Sequence, residues 1–179
     1  MNVFVLTAGR SGSSTFIAAC RHITNYTCAH ESRVRLTGPQ RLAYPDRHIE
    51  ADNRLVWYLG RLDAAYGDHA RYVHLTRDRA ACAASFARRA DFGIMQAWRE
   101  GVLLGSEPGQ AAYDLALDYL DTVQANIALF LRDKPQRMNF RLEHAREDFQ
   151  TFWDWIGAEG DLTAALAEWD ERYNASPMA

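Results

Sequence analysis

The chain begins, after two residues, with Val3-Phe4-Val5-Leu6-Thr7-Ala8-Gly9-Arg10-Ser11-Gly12-Ser13-Ser14-Thr15. A short apolar run followed at once by glycine and serine predicts a buried strand, a tight turn and a helix over residues 15–22. Unpaired N–H groups at such a helix start, with glycines and hydroxyls beside them, form a cradle for an anion. The same residues also suit an ordinary capped turn. The loop is not a Walker A motif, because no lysine follows Gly12.

The rest of the chain alternates between strand-like and helix-like segments. Further strands are predicted at residues 26–29, 47–50, 72–76 and 137–142, and helices at residues 54–66, 79–90, 111–131, 145–156 and 162–173. This alternation predicts an α/β fold, a three-layer sandwich with a mostly parallel central sheet. We expect residues 1–179 to form a single domain. Ligands in such folds bind beyond the carboxyl ends of the strands.

Composition narrows the classes of partner. The formal net charge of -3 argues against a nucleic-acid polymer. Lys134 is the only lysine, so the basic residues are almost all arginines, which suit forked contacts with phosphate or sulfate. The three cysteines show no CxxC spacing, so we expect no metal site and a reducing, cytoplasmic location. The first apolar run is too short for a membrane span or a signal peptide.

A second motif follows the strand predicted at residues 72–76. Arg77 lies at the end of that strand, and Ser85 lies eight residues later on the next helix. Both side chains can reach the same edge of the sheet as the first loop, which suggests a ligand with two separate anionic groups. The alternative is that Arg77 forms a surface pair with Asp78 and that Ser85 only packs between helices.

These motifs resemble those of sulfotransferases that use 3'-phosphoadenosine 5'-phosphosulfate (PAPS) and release adenosine 3',5'-bisphosphate (PAP). The first loop looks like the family's 5'-phosphosulfate loop, and the Arg77/Ser85 pair is similar to its 3'-phosphate motif. Residues 140–143, with a helix and Gly157 after them, resemble a late segment of the family. The resemblance implies a P-loop-like sulfotransferase fold, and binding of PAPS by Arg10, Ser11, Gly12, Ser13, Ser14, Arg77 and Ser85.

The closest local likeness is to the tyrosylprotein sulfotransferases. Glu31 lies 21 residues after Arg10, the spacing of that family's catalytic glutamate. The resemblance implies that Glu31 is the general base and that Arg10 stabilises charge on the departing phosphate. His30 is the rival base, and a solvated pair between Glu31 and Arg33 is the alternative without a catalytic role.

One position departs from that family. Its catalytic lysine corresponds to Ala90, so that role passes to Arg88 or Arg89 or is absent. The acceptor therefore does not follow from the resemblance.

A polar cluster at the end of the strand predicted at residues 47–50 suits acceptor binding. Glu50 and Arg54 are the substrate-binding candidates, whereas Asp52 or Asn53 is better explained as a helix cap. Five aromatic residues are expected mostly in the core, although one of them could stack on a ring of the ligand: Trp57, Tyr58, Phe86, Phe92 and Trp98. Residues 174–176 are expected to be frayed, and the alternative is that they fold back on the nucleotide.

The motifs, together with the resemblance that they carry, imply a PAPS-dependent sulfotransferase that needs no metal. Its acceptor is a hydroxyl or amine on a carbohydrate, lipid, small molecule or peptide. A nucleotide or small-molecule kinase is an alternative, disfavoured because the loop has no lysine. A non-catalytic module that binds a nucleotide is the other. Oligomeric state is not encoded in any recognisable pattern.

Overall fold

The computed structural model describes residues 1–171, which contain a five-stranded parallel sheet. The strands are β1 (Asn2–Leu6), β2 (Thr27–His30), β3 (His48–Ala51), β4 (Ala70–Thr76) and β5 (Arg137–Arg141), in the order β2-β3-β1-β4-β5. The first strand is central and pairs with β3 and β4. Because all strands are parallel, their carboxyl ends lie at one edge.

Seven α-helices accompany the sheet in the described chain. They are α1 (Ser13–Cys20), α2 (Leu59–Tyr66), α3 (Arg79–Ala87), α4 (Gly93–Ala97), α5 (Ala112–Leu131), α6 (Ala145–Ile156) and α7 (Leu162–Ala167). A π-helical turn, Trp98–Val102, follows α4. Within residues 1–171, no helix combines the length and apolarity needed to cross a bilayer.

Two apolar cores cover the two faces of the sheet. Val3 and Val5 point into one core, with α1, α6 and α7, whereas Phe4 and Leu6 point into the other, with α2, α3 and α5. Side chains alternate between faces along a strand, so the uninterrupted apolar run of β1 serves both cores at once. The predicted α/β three-layer fold with a parallel sheet is therefore confirmed.

Several boundaries differ from those expected. The segment 54–66 divides into a 3₁₀ turn, Asn53–Trp57, and α2, because Asp52 caps the turn by accepting a bond from the N–H of Arg54 at 2.8 Å. The helix predicted at 79–90 ends at Ala87, and the one predicted from residue 162 ends at Ala167. Helix α4 was not predicted, and residues 174–176 lie outside the described part of the chain.

Candidate functional site

The loop between β1 and α1 depends on glycine at two positions. Gly9 and Gly12 have φ angles of 99° and 87°, in the left-handed region that glycine tolerates. A Cβ atom on Gly12 would lie 2.6 Å from Cδ1 of Leu142, and one on Gly9 would lie 2.8 Å from Nδ2 of Asn53. The loop is therefore shaped both by its own backbone and by segments distant in sequence.

The second motif supports the first loop directly. Nε of Arg10 donates to Oγ of Ser85 at 3.0 Å, and Nη1 of Arg77 donates to the carbonyl oxygen of Arg10 at 3.2 Å. Arg77 and Asp78 do not form the surface pair that was the alternative to a binding role, and the carboxylate of Asp78 instead caps α3 by accepting from the N–H of Ala81. The two motifs thus meet at Arg10.

Positive charge is concentrated around this loop. Burial lowers the pKa of the Arg10 guanidinium below its usual value, and the charges of Arg89, Arg77 and Arg88 lower that pKa further. Four guanidinium groups within electrostatic reach of one another raise the local potential, and an anion bound among them relieves their repulsion. The electrostatics therefore favour an anionic ligand at the loop.

A cleft of about 300 Å³ opens beside the loop at the carboxyl edge of the sheet. It is lined by Gly9, Arg10, Ser13, Ser14, His30, Glu31, Asn53, Arg54, Phe86, Arg89, Phe92, Gly93, Ile94 and Met95. Of the residues expected to bind the donor, Arg10, Ser13 and Ser14 line this cleft. Ser11 is buried and its hydroxyl donates to the carbonyl oxygen of Gly9. Gly12, Arg77 and Ser85 are also not among the lining residues.

The two candidate bases lie at the end of β2, on the cleft. Glu31 forms an ion pair with Arg54, in which Oε2 lies 3.0 Å from Nη1. Nε2 of His30 is hydrogen-bonded to Oγ of Ser13 at 2.9 Å. Glu31 does not pair with Arg33, which donates to the carbonyl oxygen of Gln40 instead. Both Glu31 and Arg54 are only about two-thirds buried, so their carboxylate and guanidinium remain accessible to a ligand.

Glu50 is not placed in the cleft, in contrast to the expectation that it binds substrate. Its side chain is fully buried and accepts three hydrogen bonds, from N–H and Oγ of Ser32 at 2.7 Å each and from Nε2 of His48 at 2.9 Å. Because the Glu50 side chain is fully buried and already holds three donors from the protein, a substrate in the cleft cannot reach it in this structure. Glu50 thereby anchors Ser32, the residue that follows Glu31. Glu31 itself has a φ of 52°, which is unusual for glutamate.

This network was not predicted, although the sequence contains one signal of it. His48 and Glu50 are two residues apart in a strand, so their side chains share a face. The other partner of Glu50, Ser32, is brought to it by the β2–β3 pairing, which no local pattern predicts.

The segment after Ser85 supplies the other wall of the cleft. Arg89 lines the cleft, whereas Arg88 is exposed and is not among the lining residues. Of the aromatic candidates, Phe86 and Phe92 line the cleft, and Trp57, Tyr58 and Trp98 do not. The cleft is also lined by four residues that were not predicted to be part of a binding site: Asn53, Gly93, Ile94 and Met95. Among residues 1–171, no group of three or more histidine, cysteine, aspartate or glutamate side chains is arranged to hold a metal ion.

Comparison with known proteins gives a result at the level of structure. Neither protein-family models nor curated protein sequences match the chain. The sulfotransferase domain from the curacin biosynthetic pathway superposes with a TM-score of 0.62 at 15% identity, over 90% of this chain and 75% of that domain. Mouse sulfotransferase SULT7A1, solved with PAP, gives a TM-score of 0.56 at 12% identity, over 93% of this chain but only 64% of its own length. The chain therefore has a sulfotransferase-like fold, as the sequence motifs had indicated.

Proposed function

We propose that this protein is a sulfotransferase that moves a sulfuryl group from PAPS to a hydroxyl or amine acceptor. The observation that carries the proposal is that Arg10, on the glycine-serine loop, and Glu31, at the end of β2, line one cleft. A group that stabilises the leaving phosphate and a group that accepts the proton are both needed where sulfuryl transfer occurs. The sulfotransferase-like fold and the PAP bound to SULT7A1 give the proposal further support.

The donor would lie with its phosphosulfate on the first loop. In this proposal the start of α1 offers N–H groups of Gly12, Ser13 and Ser14, together with the hydroxyls of Ser13 and Ser14. Ser11 would take part through its backbone only, because its hydroxyl is used inside the loop. Arg77 and Ser85 would hold the 3'-phosphate, and the nearness of both to Arg10 would link the two anion sites.

The chemistry assigned to the cleft is an in-line displacement at sulfur. The acceptor oxygen forms a bond to sulfur, and the bond between sulfur and the phosphate oxygen breaks, leaving its electron pair on PAP. The acceptor proton passes to the carboxylate of Glu31, and Arg10 stabilises the charge that grows on the phosphate oxygen. Arg54 orients Glu31 through their ion pair, and Arg89, rather than the exposed Arg88, takes the place of the family's lysine.

Other parts of the prediction stand as proposals beside this one. We propose that residues 1–179 act as one sulfotransferase-like domain without a metal. A reducing, cytoplasmic location is proposed from the three unpaired thiols. No contact favours a kinase: Lys134 pairs with Asp63 and Asp68 and is not among the residues that line the cleft.

Calorimetry with PAP, and with ATP plus magnesium, tests the donor. Tight binding of PAP without magnesium is the expected result, whereas magnesium-dependent binding of ATP alone would identify a kinase. Binding of PAP with no transfer to any acceptor would identify a non-catalytic nucleotide-binding module.

A pair of variants tests the base. Glu31→Gln should lower kcat by about 100-fold or more while leaving the affinity for PAP unchanged, since a general base acts in the transition state. Glu147→Gln, at a side chain that is 86% exposed, is the matched control and should keep full activity. If Glu31→Gln is as active as the control and His30→Gln is not, His30 is the base.

A further inference from the structure

One wall of the cleft is apolar, in contrast to the rest of its lining. Phe86, at the end of α3, and Phe92, Ile94 and Met95, around the start of α4, present carbon to the cleft. The remaining lining residues carry hydroxyl groups, the Glu31/Arg54 pair and the guanidinium groups of Arg10 and Arg89. The cleft therefore has a polar half, where we propose that the chemistry occurs, and an apolar half with no assigned ligand.

Phe92 is the unusual member of this wall. Its side chain is 71% exposed, although large apolar side chains are normally removed from water. The backbone of this segment is nevertheless hydrogen-bonded. The N–H of Phe92 donates to the carbonyl oxygen of Arg89 at 3.0 Å, and the N–H of Arg89 donates to the carbonyl oxygen of Phe86 at 2.8 Å. An exposed ring held by a hydrogen-bonded turn at the mouth of a cleft is suited to cover an apolar ligand.

We propose that the acceptor is an uncharged phenol or alicyclic alcohol, with one hydroxyl on a compact apolar ring. This inference rests on the proposed function and specifies its acceptor. The ring packs on Phe92 and Ile94, and the hydroxyl points across the cleft to Glu31. There the hydroxyl oxygen bonds to the sulfur of PAPS, its proton goes to the Glu31 carboxylate, and the S–O bond to PAP breaks.

Other acceptor classes fit this wall less well. A sugar carries hydroxyls around its whole ring, and those facing Phe86, Phe92, Ile94 and Met95 would lose water without gaining a side-chain partner. The volume of about 300 Å³ equals that of on the order of ten water molecules. In the proposal part of this volume is used by the sulfuryl end of the donor, so the space that remains suits a compact ring better than a long acyl chain.

The polar half also leaves few groups for a polyol. Glu31 is already paired with Arg54, and Ser13 is paired with His30. Arg10, Ser14 and Arg89 also line the cleft but have roles in the proposed transfer, and Oδ1 of Asn53 accepts from Nη1 of Arg54 at 3.3 Å. Glu31 can accept from one acceptor hydroxyl, whereas the side chains of His30, Asn53 and Arg54 already have hydrogen-bond partners.

The test measures acceptor binding separately from donor binding. The full chain, saturated with PAP, is titrated with 2-naphthol and with methyl β-glucoside, and PAP affinity is measured alone. The expected result is that 2-naphthol binds and the glucoside does not. With PAPS, kcat/KM for naphthol should exceed that for the glucoside by on the order of a hundredfold.

Phe92→Ala and Leu129→Ala form the matched pair, because Leu129 is 59% exposed and lies on α5 outside the cleft. Phe92→Ala should raise the Kd for 2-naphthol by about tenfold, the effect of losing a buried aromatic contact, and Leu129→Ala should leave it unchanged. PAP affinity should be the same in both variants.

Each contrary outcome has a distinct meaning. Glucoside binding as tight as naphthol binding, or naphthol affinity unaffected by Phe92→Ala, overturns the acceptor assignment. An equal loss of PAP affinity in Phe92→Ala would assign the ring to the adenine of the donor and would also overturn it. Failure of the unaltered chain to bind PAP contradicts the proposed function instead, and naphthol titration of the ligand-free chain then decides whether the apolar wall binds a phenol.

Discussion

Replacing the buried carboxylate of Glu50 by an amide tests whether it holds the turn that carries Glu31. The glutamate accepts from the Ser32 N–H through Oε1, and from Oγ of Ser32 and Nε2 of His48 through Oε2. Glu50→Gln retains the shape and one acceptor oxygen. The backbone N–H of Ser32 cannot reverse its direction, so the amide oxygen must face it and the amide NH₂ must face the hydroxyl and the imidazole.

The magnitude follows from these three contacts. A hydrogen bond to a charged group contributes about 1 kcal/mol more than a neutral one, and two of the three bonds must also exchange donor for acceptor. We therefore expect Glu50→Gln to lower the free energy of unfolding by about 2 kcal/mol. For a chain of this size, that corresponds to a decrease in Tm of roughly 4–8 °C.

The assay is urea unfolding at neutral pH followed by circular dichroism. Glu147→Gln serves as the exposed control and should change the free energy of unfolding by less than about 0.5 kcal/mol. A loss for Glu50→Gln no larger than that of the control would refute the reasoning. If Glu50→Gln loses stability as expected but keeps the proposed sulfuryl transfer at the rate of the unaltered chain, the network supports the fold but does not position Glu31.

Three other predictions follow from single contacts. Gly12→Ala should lower the free energy of unfolding by about 2–4 kcal/mol, from its positive φ and its clash, whereas Gly38→Ala, with φ of 59° and nothing near its Cβ, should cost about 1 kcal/mol in the same urea assay. Burial lowers the pKa of His74. The unfolded chain therefore binds a proton that the folded chain does not, and stability should fall as the pH drops below about 6.5; a shallower pH dependence of unfolding in His74→Gln checks this, and an unchanged one would contradict it. Burial raises the pKa of Cys82 to about 11, so iodoacetamide should label Cys82 at neutral pH only after unfolding, as mass spectrometry of the digested chain would reveal.

Local sequence determined the elements of this protein but not all of their roles. The apolar run of β1 and the two glycines of the following loop predicted a buried strand and a turn, because burial on both faces and positive φ angles restrict residue type locally. The same holds for the motif at Arg77, which lies at a strand end as expected. These features placed the loop and the second motif at one edge of the sheet.

Tertiary structure decided which side chains meet there. Glu50 and Glu31 both lie near the end of a strand, yet Glu50 is buried against Ser32 and His48, whereas Glu31 lines the cleft. The position of Phe92 likewise depends on the end of α3 and a hydrogen-bonded turn. The physical reason is that burial and hydrogen-bond partners are set by segments distant along the chain, whereas turn and strand preferences act between neighbours.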